Sequence, residues 1–320
     1  MSSDVASRHL GIDLGATNLK WAMVELADSA WATVARAQAT TRLASAPEDV
    51  PAAVVAQLGE VAAEAIRSCG PAASVGVGVP GLYDPVAGTA RFLVNIPGPW
   101  AGQPIAGPVG DAAGLPAVLV NDARAFGLAE LRLGAGRGAS SMIGLTLGTG
   151  VGGVIAIDGR VHQGHDGTAG EIGHLTLDDQ GPLCRCGSRG CLEAYASTGA
   201  ALTMMAEQLP GATIDDIIEA AKAGNVSALR VFEDAGMHLA WGLAAVTNLI
   251  NPGVILVGGD MSHAGDLILD SARLGMRRHV LSGSAAATPV LVASLGDRAS
   301  AIGALQLAIE ATDLLPDASA

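Results

Sequence analysis

Apolar and polar positions along this 320-residue chain switch repeatedly between a period of two and a period near 3.6, and the switches mark out its elements. Residues 9–13 and 19–26 alternate as two strands around the turn Gly15-Ala16-Thr17-Asn18, which predicts a β-hairpin and not a strand-to-helix entry. Residues 50–69 carry apolar side chains at helical spacing and stop at Gly70-Pro71. Residues 74–79 and 117–120 are short, continuously apolar runs of the kind found in buried parallel strands. Helical spacing returns over 123–133. A second strand pair, 141–147 and 154–157, flanks a Gly-rich turn. Helices are predicted over 196–207, 214–223 and 227–250, buried strands over 254–257 and 290–292, and a closing helix over 300–311. Strands alternating with crossover helices predict an α/β fold with a largely covered sheet.

One repetition sharpens that picture. Gly11-Ile-Asp-Leu-Gly15 and Gly144-Leu-Thr-Leu-Gly148 match at a constant offset, each in a strand that leads into a Gly/Thr turn. Two such hairpins predict two related lobes whose turns face a common cleft.

Composition narrows the function classes. Half the residues are apolar and only 3% are aromatic, so the core is built from Ala, Val and Leu. The net charge of −13, with no basic stripe, argues against a nucleic-acid partner, because counterion release needs clustered Lys and Arg. A phosphorylated ligand remains compatible, since backbone N–H groups hold anions without net positive charge. The most apolar stretches, 142–157 and 239–259, are interrupted by Thr, Gly, Asn and Pro, so neither reads as a membrane span. The N-terminus lacks an apolar signal core, and the cysteines do not form a disulfide framework; both predict a cytoplasmic protein.

Three of the four cysteines fall within eight residues, Cys184, Cys186 and Cys191, with His174 ten positions upstream of the first. Three thiolates and an imidazole close a tetrahedral N/S shell, which suits zinc. Glu171 and Glu193 bracket this cluster, which is unusual for a purely structural staple and predicts a pocket for a polar ligand. Reduced cysteines on a surface loop are the plainer alternative. Elsewhere, Asp13, Gly15, Thr17 and Lys20 form a candidate nucleotide loop, which is not a Walker A motif. Thr149, Gly150 and Gly152 lie in a run of N–H donors that forms an anion nest or a simple bend. Gly258 and Gly259 follow a buried strand, where a flat ring could lie on the backbone. Asn121 and Asp122 end a buried strand at the carboxyl edge of the sheet, as a helix cap, as catalytic groups, or one of each. His162, His165, His238 and Cys69 read as ordinary solvated or packing residues.

Taken together, Glu171-x-x-His174, Cys184-x-Cys186-Gly-x-x-Gly-Cys191-x-Glu193 and Asp13-x-Gly15-x-Thr17 closely resemble the ROK family of bacterial sugar kinases, over roughly 9–303. The resemblance implies a two-lobed actin-like ATPase (ribonuclease H-like) α/β fold with a cleft and a zinc loop. Its small lobe would be residues 1–121 completed by 299–320, and its large lobe 122–298. Asp122 would be the catalytic base. Asn121, Glu171, His174 and Glu193 would grip sugar hydroxyls, with Gly81 and Asn95 near them. Mg2+-ATP would place its phosphates on the turns containing Asp13, Gly15, Ala16, Thr17, Asn18 and Lys20 and containing Thr149, Gly150 and Gly152, with adenosine near Gly258 and Gly259. Zn2+ would be structural, and His174 would serve both metal and sugar. Ala16 and Val154 stand where the family often has glycine, and neither removes a functional group.

The implied activity is ATP-dependent phosphorylation of a hexose, glucose first, with an amino sugar or N-acetylhexosamine as the alternative. The resemblance also implies a homodimer or tetramer. Some family members are repressors with an N-terminal helix-turn-helix, and only a dozen residues precede Asp13 here. A sugar sensor without turnover would not need Asp122 and both turns. A zinc hydrolase would need an open coordination position, which a four-ligand shell lacks.

Overall fold

The strand Ser74–Val79 reads SVGVGV, and its alternation explains how the first sheet is covered on both faces. Val75, Val77 and Val79 point to one side and join a core with Leu10, Ile12 and Leu14. The glycines point to the other side, where a helix backbone comes so close that a Cβ on Gly76 would lie 1.9 Å from the Ala304 carbonyl oxygen. In this computed structural model the described residues are 7–27, 30–93, 95–281 and 283–314. They form two units, Met1–Ala129 with Asp297–Ala320, and Glu130–Gly296.

In the first unit β1 (Ser7–Leu14) and β2 (Asn18–Ala27) form the predicted hairpin, and β3 (Ala30–Thr40) adds antiparallel to β2. Helix α1 (Val50–Cys69) ends at Gly70, which takes φ +89°. Strand β4 (Ser74–Val79) follows, then a small antiparallel sheet of β5 (Gly81–Asp84), β6 (Thr89–Leu93) and β7 (Gln103–Pro104). Helix α2 (Ala106–Ala113) leads to β8 (Ala117–Asn121), and α3 (Asp122–Leu133) starts directly from it. The main sheet has the order β3-β2-β1-β4-β8, with β1, β4 and β8 parallel. Val54, Leu58 and Ala62 of α1 pack on its valine face.

The second unit begins within α3 and continues with β9 (Ser141–Leu147), β10 (Val151–Ile157) and β11 (Arg160–Val161). The cysteine segment follows, then α4 (Glu193–Ala196), α5 (Thr198–Met205), α6 (Ile214–Lys222) and α7 (Val226–Ile250). A reciprocal Thr213/Asp216 capping box starts α6, and Asn251 in the left-handed region ends α7. Strand β12 (Val254–Gly258), α8 (Asp266–His279), α9 (Gly283–Ala286) and β13 (Val290–Val292) complete the unit. Its sheet order is β11-β10-β9-β12-β13, with β9, β12 and β13 parallel and β10 antiparallel to both its neighbours. Phe232, Leu239 and Leu243 of α7 cover one face together with Ile268 and Leu269 of α8. The fully buried carboxylate of Glu130 accepts from the N–H groups of Ala135 at 2.8 Å and Leu295 at 2.7 Å.

Finally, α10 (Ala299–Leu314) returns to the first unit and covers the glycine face of its sheet. A Cβ on Gly11 would lie 1.9 Å from Ala301 O, so this glycine is needed for packing. Both sheets thus run in the same order and directions, with the matched pentapeptides in equivalent central strands, β1 and β9. Several elements depart from the sequence reading. Strand β3, the β5–β7 sheet, α2 and α8 are additional, the helix at 196–207 is broken at Ser197, and β10 starts at Val151, three residues early. Among the described residues no helix is long and apolar enough to cross a membrane.

Candidate active site and metal centre

Because β1, β4 and β8 are parallel, their carboxyl ends share one edge, and the polar residues that end them are brought together there. Asp13 pairs with Gly78 and with Lys20, and Val79 pairs with Asn121. A Cβ on Gly78 would sit 3.5 Å from Asp13 Oδ1 and 3.8 Å from Asp122 Cα, so this missing side chain leaves space between the Asp13 carboxylate and the Asp122 backbone. Burial lifts the Asp13 carboxyl to about 6; Lys20 opposes that rise and Asp297 adds to it. The Lys20 ammonium lies 3.6 Å from Asp297, so its charge already has a carboxylate beside it.

Both Asn121 and Asp122 accept backbone N–H groups at the start of α3. Asn121 Oδ1 accepts from Arg124 N at 3.1 Å and caps α3, while its Nδ2 donates to Gly81 O at 3.2 Å. Asp122 starts the helix and accepts from Ala123 N through Oδ1 at 2.8 Å. Gly81 itself takes φ +133°, and a Cβ there would fall 2.3 Å from Phe92 O, so the β5 entry requires glycine. Asn95 is half-buried just beyond β6. The first turn is held by Gly15 N–H on Asn18 O at 3.0 Å and by Thr41, whose hydroxyl donates to Gly15 O at 2.7 Å and whose N–H donates to Thr17 O at 2.9 Å. Thr41 was invisible to sequence reasoning; nothing in its neighbourhood marks it as the strap of a turn 26 residues away.

In the second unit the turn at 148–150 is short. Gly148 N–H donates to Gly150 O at 2.9 Å, nothing lies within 4 Å of a Cβ built on Gly148, and Thr149 is exposed. Gly152 lies within β10, opposite Thr146, and not on the turn. Thr198 N–H donates to Gly148 O at 2.8 Å, which brings the start of α5 onto the turn. The Thr198 hydroxyl is buried with no hydrogen-bond partner among the described residues. Gly258 ends β12 opposite Thr146, and Gly259 takes φ +82° with a would-be Cβ 2.6 Å from the Leu147 backbone. Close packing against β9 alone therefore accounts for glycine at 259.

The cysteine segment folds back on itself through bridges at Thr176/Cys191 and Leu183/Arg189. Gly190 takes φ +61°, with Asp178 O so near that no side chain fits. This brings the ligand atoms of His174, Cys184, Cys186 and Cys191 within 4.8 Å of one another. Cys186 Sγ and Cys191 Sγ are 3.7 Å apart, and Cys184 Sγ is 3.8 Å from His174 Nδ1. A tetrahedral shell with zinc–sulfur bonds of about 2.3 Å and zinc–nitrogen bonds of about 2.0 Å has edges of about 3.5–3.8 Å, so the donor set fits such an ion. Burial pushes the Cys184 thiol up to about 12, and the nearby Glu193 charge contributes; a bound cation inverts that balance. His174 closes a one-turn helix, Ile172–His174, that starts after Glu171. Gly173 lets this turn press on β10, since a Cβ there would lie 2.0 Å from Val151 O. Glu171 is exposed, whereas Glu193, at the start of α4, is buried with Oε2 accepting from Val151 N at 2.9 Å.

Comparison with known proteins agrees with this geometry. The model of the ROK family matches residues 9–311. A glucokinase from Streptomyces coelicolor is 33% identical over 321 aligned residues, covering 94% of this chain and 97% of that protein. Among solved structures, a ROK family glucokinase from Streptomyces griseus, in complex with glucose and AMPPNP, superimposes with a TM-score of 0.81 at 31% identity, covering 95% of this chain and all of that one. A ROK hexokinase from Thermus thermophilus gives a TM-score of 0.75 at 33% identity, covering 96% and 99% of the two chains. Matched by the family model over nearly its full length, the chain belongs to the ROK family.

Proposed function

We propose that this chain is an ATP-dependent hexose kinase with glucose as its favoured acceptor, giving glucose 6-phosphate. The observation that carries the reading is the strand-edge pair Asp13 and Asp122 with the bare Gly78 between them, in a chain similar to glucokinases over nearly its whole length. Phosphoryl transfer needs little covalent help from a protein, so placement and charge decide the rate. In this reading Asp122 accepts the proton of the acceptor hydroxyl as that oxygen bonds to phosphorus and the bond to the leaving ADP breaks. Its helix-start position and the hydrogen bond from Ala123 N–H to its Oδ1 hold the carboxylate at the sheet edge. Such a positioned base contributes about 10²–10⁴-fold.

Asn121, Glu171, His174 and Glu193 orient the remaining hydroxyls, with Gly81 and Asn95 alongside. The residues at 15–18 and 148–150 present backbone N–H groups to the phosphates, and Gly258 and Gly259 lie against adenosine. Asp13, ionised, would hold a water of a nucleotide-bound Mg2+, which when bound neutralises charge on the transferring group. His174, Cys184, Cys186 and Cys191 would hold Zn2+ in a closed shell that stiffens the Glu171–His174 turn and fixes the imidazole tautomer. The same reading carries a cytoplasmic homodimer or tetramer, the oligomer being checked by light scattering.

The test is coupled ADP release with Mg2+-ATP across a panel of hexoses, amino sugars and N-acetylhexosamines. Glucose is expected to give the highest kcat/KM. A clear preference for an N-acetylhexosamine would reassign the substrate, and binding without any ADP release would make the chain a sensor.

A further inference from the structure

Val151, which leaves the turn at 148–150, is clasped on both sides of its backbone. Its N–H donates to Glu193 Oε2 at 2.9 Å, and its carbonyl occupies the space that the glycine at 173 keeps free. Glu193 is 9% exposed, and its second oxygen, Oε1, lies 3.6 Å from Cys184 Sγ. It also starts α4 two residues after Cys191, so its backbone is set by the same knuckle. One buried carboxylate therefore touches the exit of the glycine turn with one oxygen and a member of the Cys/His cluster with the other. Among the described residues the turn is also held by Gly148 N–H on Gly150 O, by Thr198 N–H on Gly148 O and by the β9–β10 pairing at its base.

We propose that Glu193 is a positioning residue for the turn at 148–150, and that through it the affinity for nucleotide depends on metal loading of the Cys/His cluster. This goes beyond a role in gripping sugar hydroxyls and rests on the reading that the turn faces the phosphates of ATP. Without an acceptor, the buried Val151 N–H is left unpaired, and a backbone that must release that N–H to water no longer holds the turn in one shape. Loss of the metal frees the Cys184 side chain and slackens the segment from which α4 starts, so Oε2 is no longer held over Val151.

Calorimetric titration with Mg2+-ADP in the absence of sugar separates this role from any sugar contact. Zinc-loaded wild type is expected to bind, Glu193→Ala about tenfold more weakly, and Glu193→Gln within about twofold of wild type because an amide oxygen still accepts from Val151. Stripping the metal with a chelator should weaken wild type and leave Glu193→Ala unchanged, the signature of coupled sites. Wild-type affinity in a folded Glu193→Ala overturns the positioning role, and equal weakening of both proteins on stripping overturns the coupling. Should Glu193→Ala fail to fold, Glu193→Asp decides, since it keeps the charge but withdraws it from Val151: weaker binding supports the role and unchanged binding overturns it. No Mg2+-ADP binding by folded wild type defeats the kinase reading itself, and this inference with it.

Discussion

The two main sheets share strand order and direction but finish their central strands differently. In the first, β1 ends with Asp13 beside Gly78 and Lys20, and Asp122 stands across the same glycine. In the second, β9 carries Thr146 at the matching place, beside Gly152 and Gly258, and the carboxylate that meets the exit of the turn, Glu193, spends an oxygen on a backbone N–H. One topology thus gives a charged, titrating edge and a neutral edge of N–H donors. The duplicated backbone supplies the places, and in the proposed function single side chains assign proton chemistry to the first edge and anion binding to the second.

The largest effect that could break this comparison is loss of the base. Asp122→Asn should lower kcat by about a thousandfold or more while leaving glucose affinity nearly intact, measured by steady-state kinetics and calorimetry. A variant near wild-type rate would move the chemistry away from the first edge. Next is the packing that shapes that edge: Gly11→Ala drives a methyl into Ala301 O and should cost about 3 kcal/mol or more in a denaturant titration, whereas Gly78→Ala meets only ordinary contacts and should cost less than about 1 kcal/mol while reducing turnover.

The second edge is sharpened by Cys184→Ala, which should release the metal and weaken glucose binding by about tenfold together, read by metal analysis and calorimetry. Retained sugar affinity after metal loss would separate the knuckle from the sugar. The smallest effect is in pH. Asp13, lifted to about 6 chiefly by burial, should give kcat/KM an acid limb that falls below about pH 6, because the ionised form is the one required. Stability should run the other way. A carboxyl whose pKa is raised on folding contributes stability that is full below its unfolded value near 4 and is lost as pH rises through about 6. The difference between wild type and Asp13→Asn in melting temperature across pH 4–8 isolates that term.

Much of this was legible in the sequence because the signals were local. Both hairpins, the continuously apolar parallel strands and the Cys/His cluster declare themselves within a few residues, and the offset match between residues 11–15 and 144–148 carried the twofold sheet plan. What was hidden depends on contacts far apart in sequence. Strand β3 alternates weakly and lies mostly exposed at a sheet edge, so its pattern has no apolar face to reveal it. The β5–β7 sheet sits among Pro80, Pro97, Pro99 and Pro104, whose turn chemistry outweighs its short strands. Helix α2, with two glycines and a proline in eight residues, has poor intrinsic propensity and is held by packing. The bond between Glu193 and Val151 spans 42 positions, and Lys20 meets Asp297 only because the last helix returns to the first sheet. For the same reason the close backbone contacts of Gly11 with Ala301 and of Gly259 with Leu147 have no local signal.

The central claim, that the first edge takes a proton from a sugar hydroxyl and sends it to phosphorylation, is tested most directly by comparing ADP release with glucose and with 6-deoxyglucose. Turnover with glucose, and inhibition without turnover by the analogue that lacks the acceptor oxygen, is the predicted result. Equal ADP release with both sugars, or none with glucose, would contradict it.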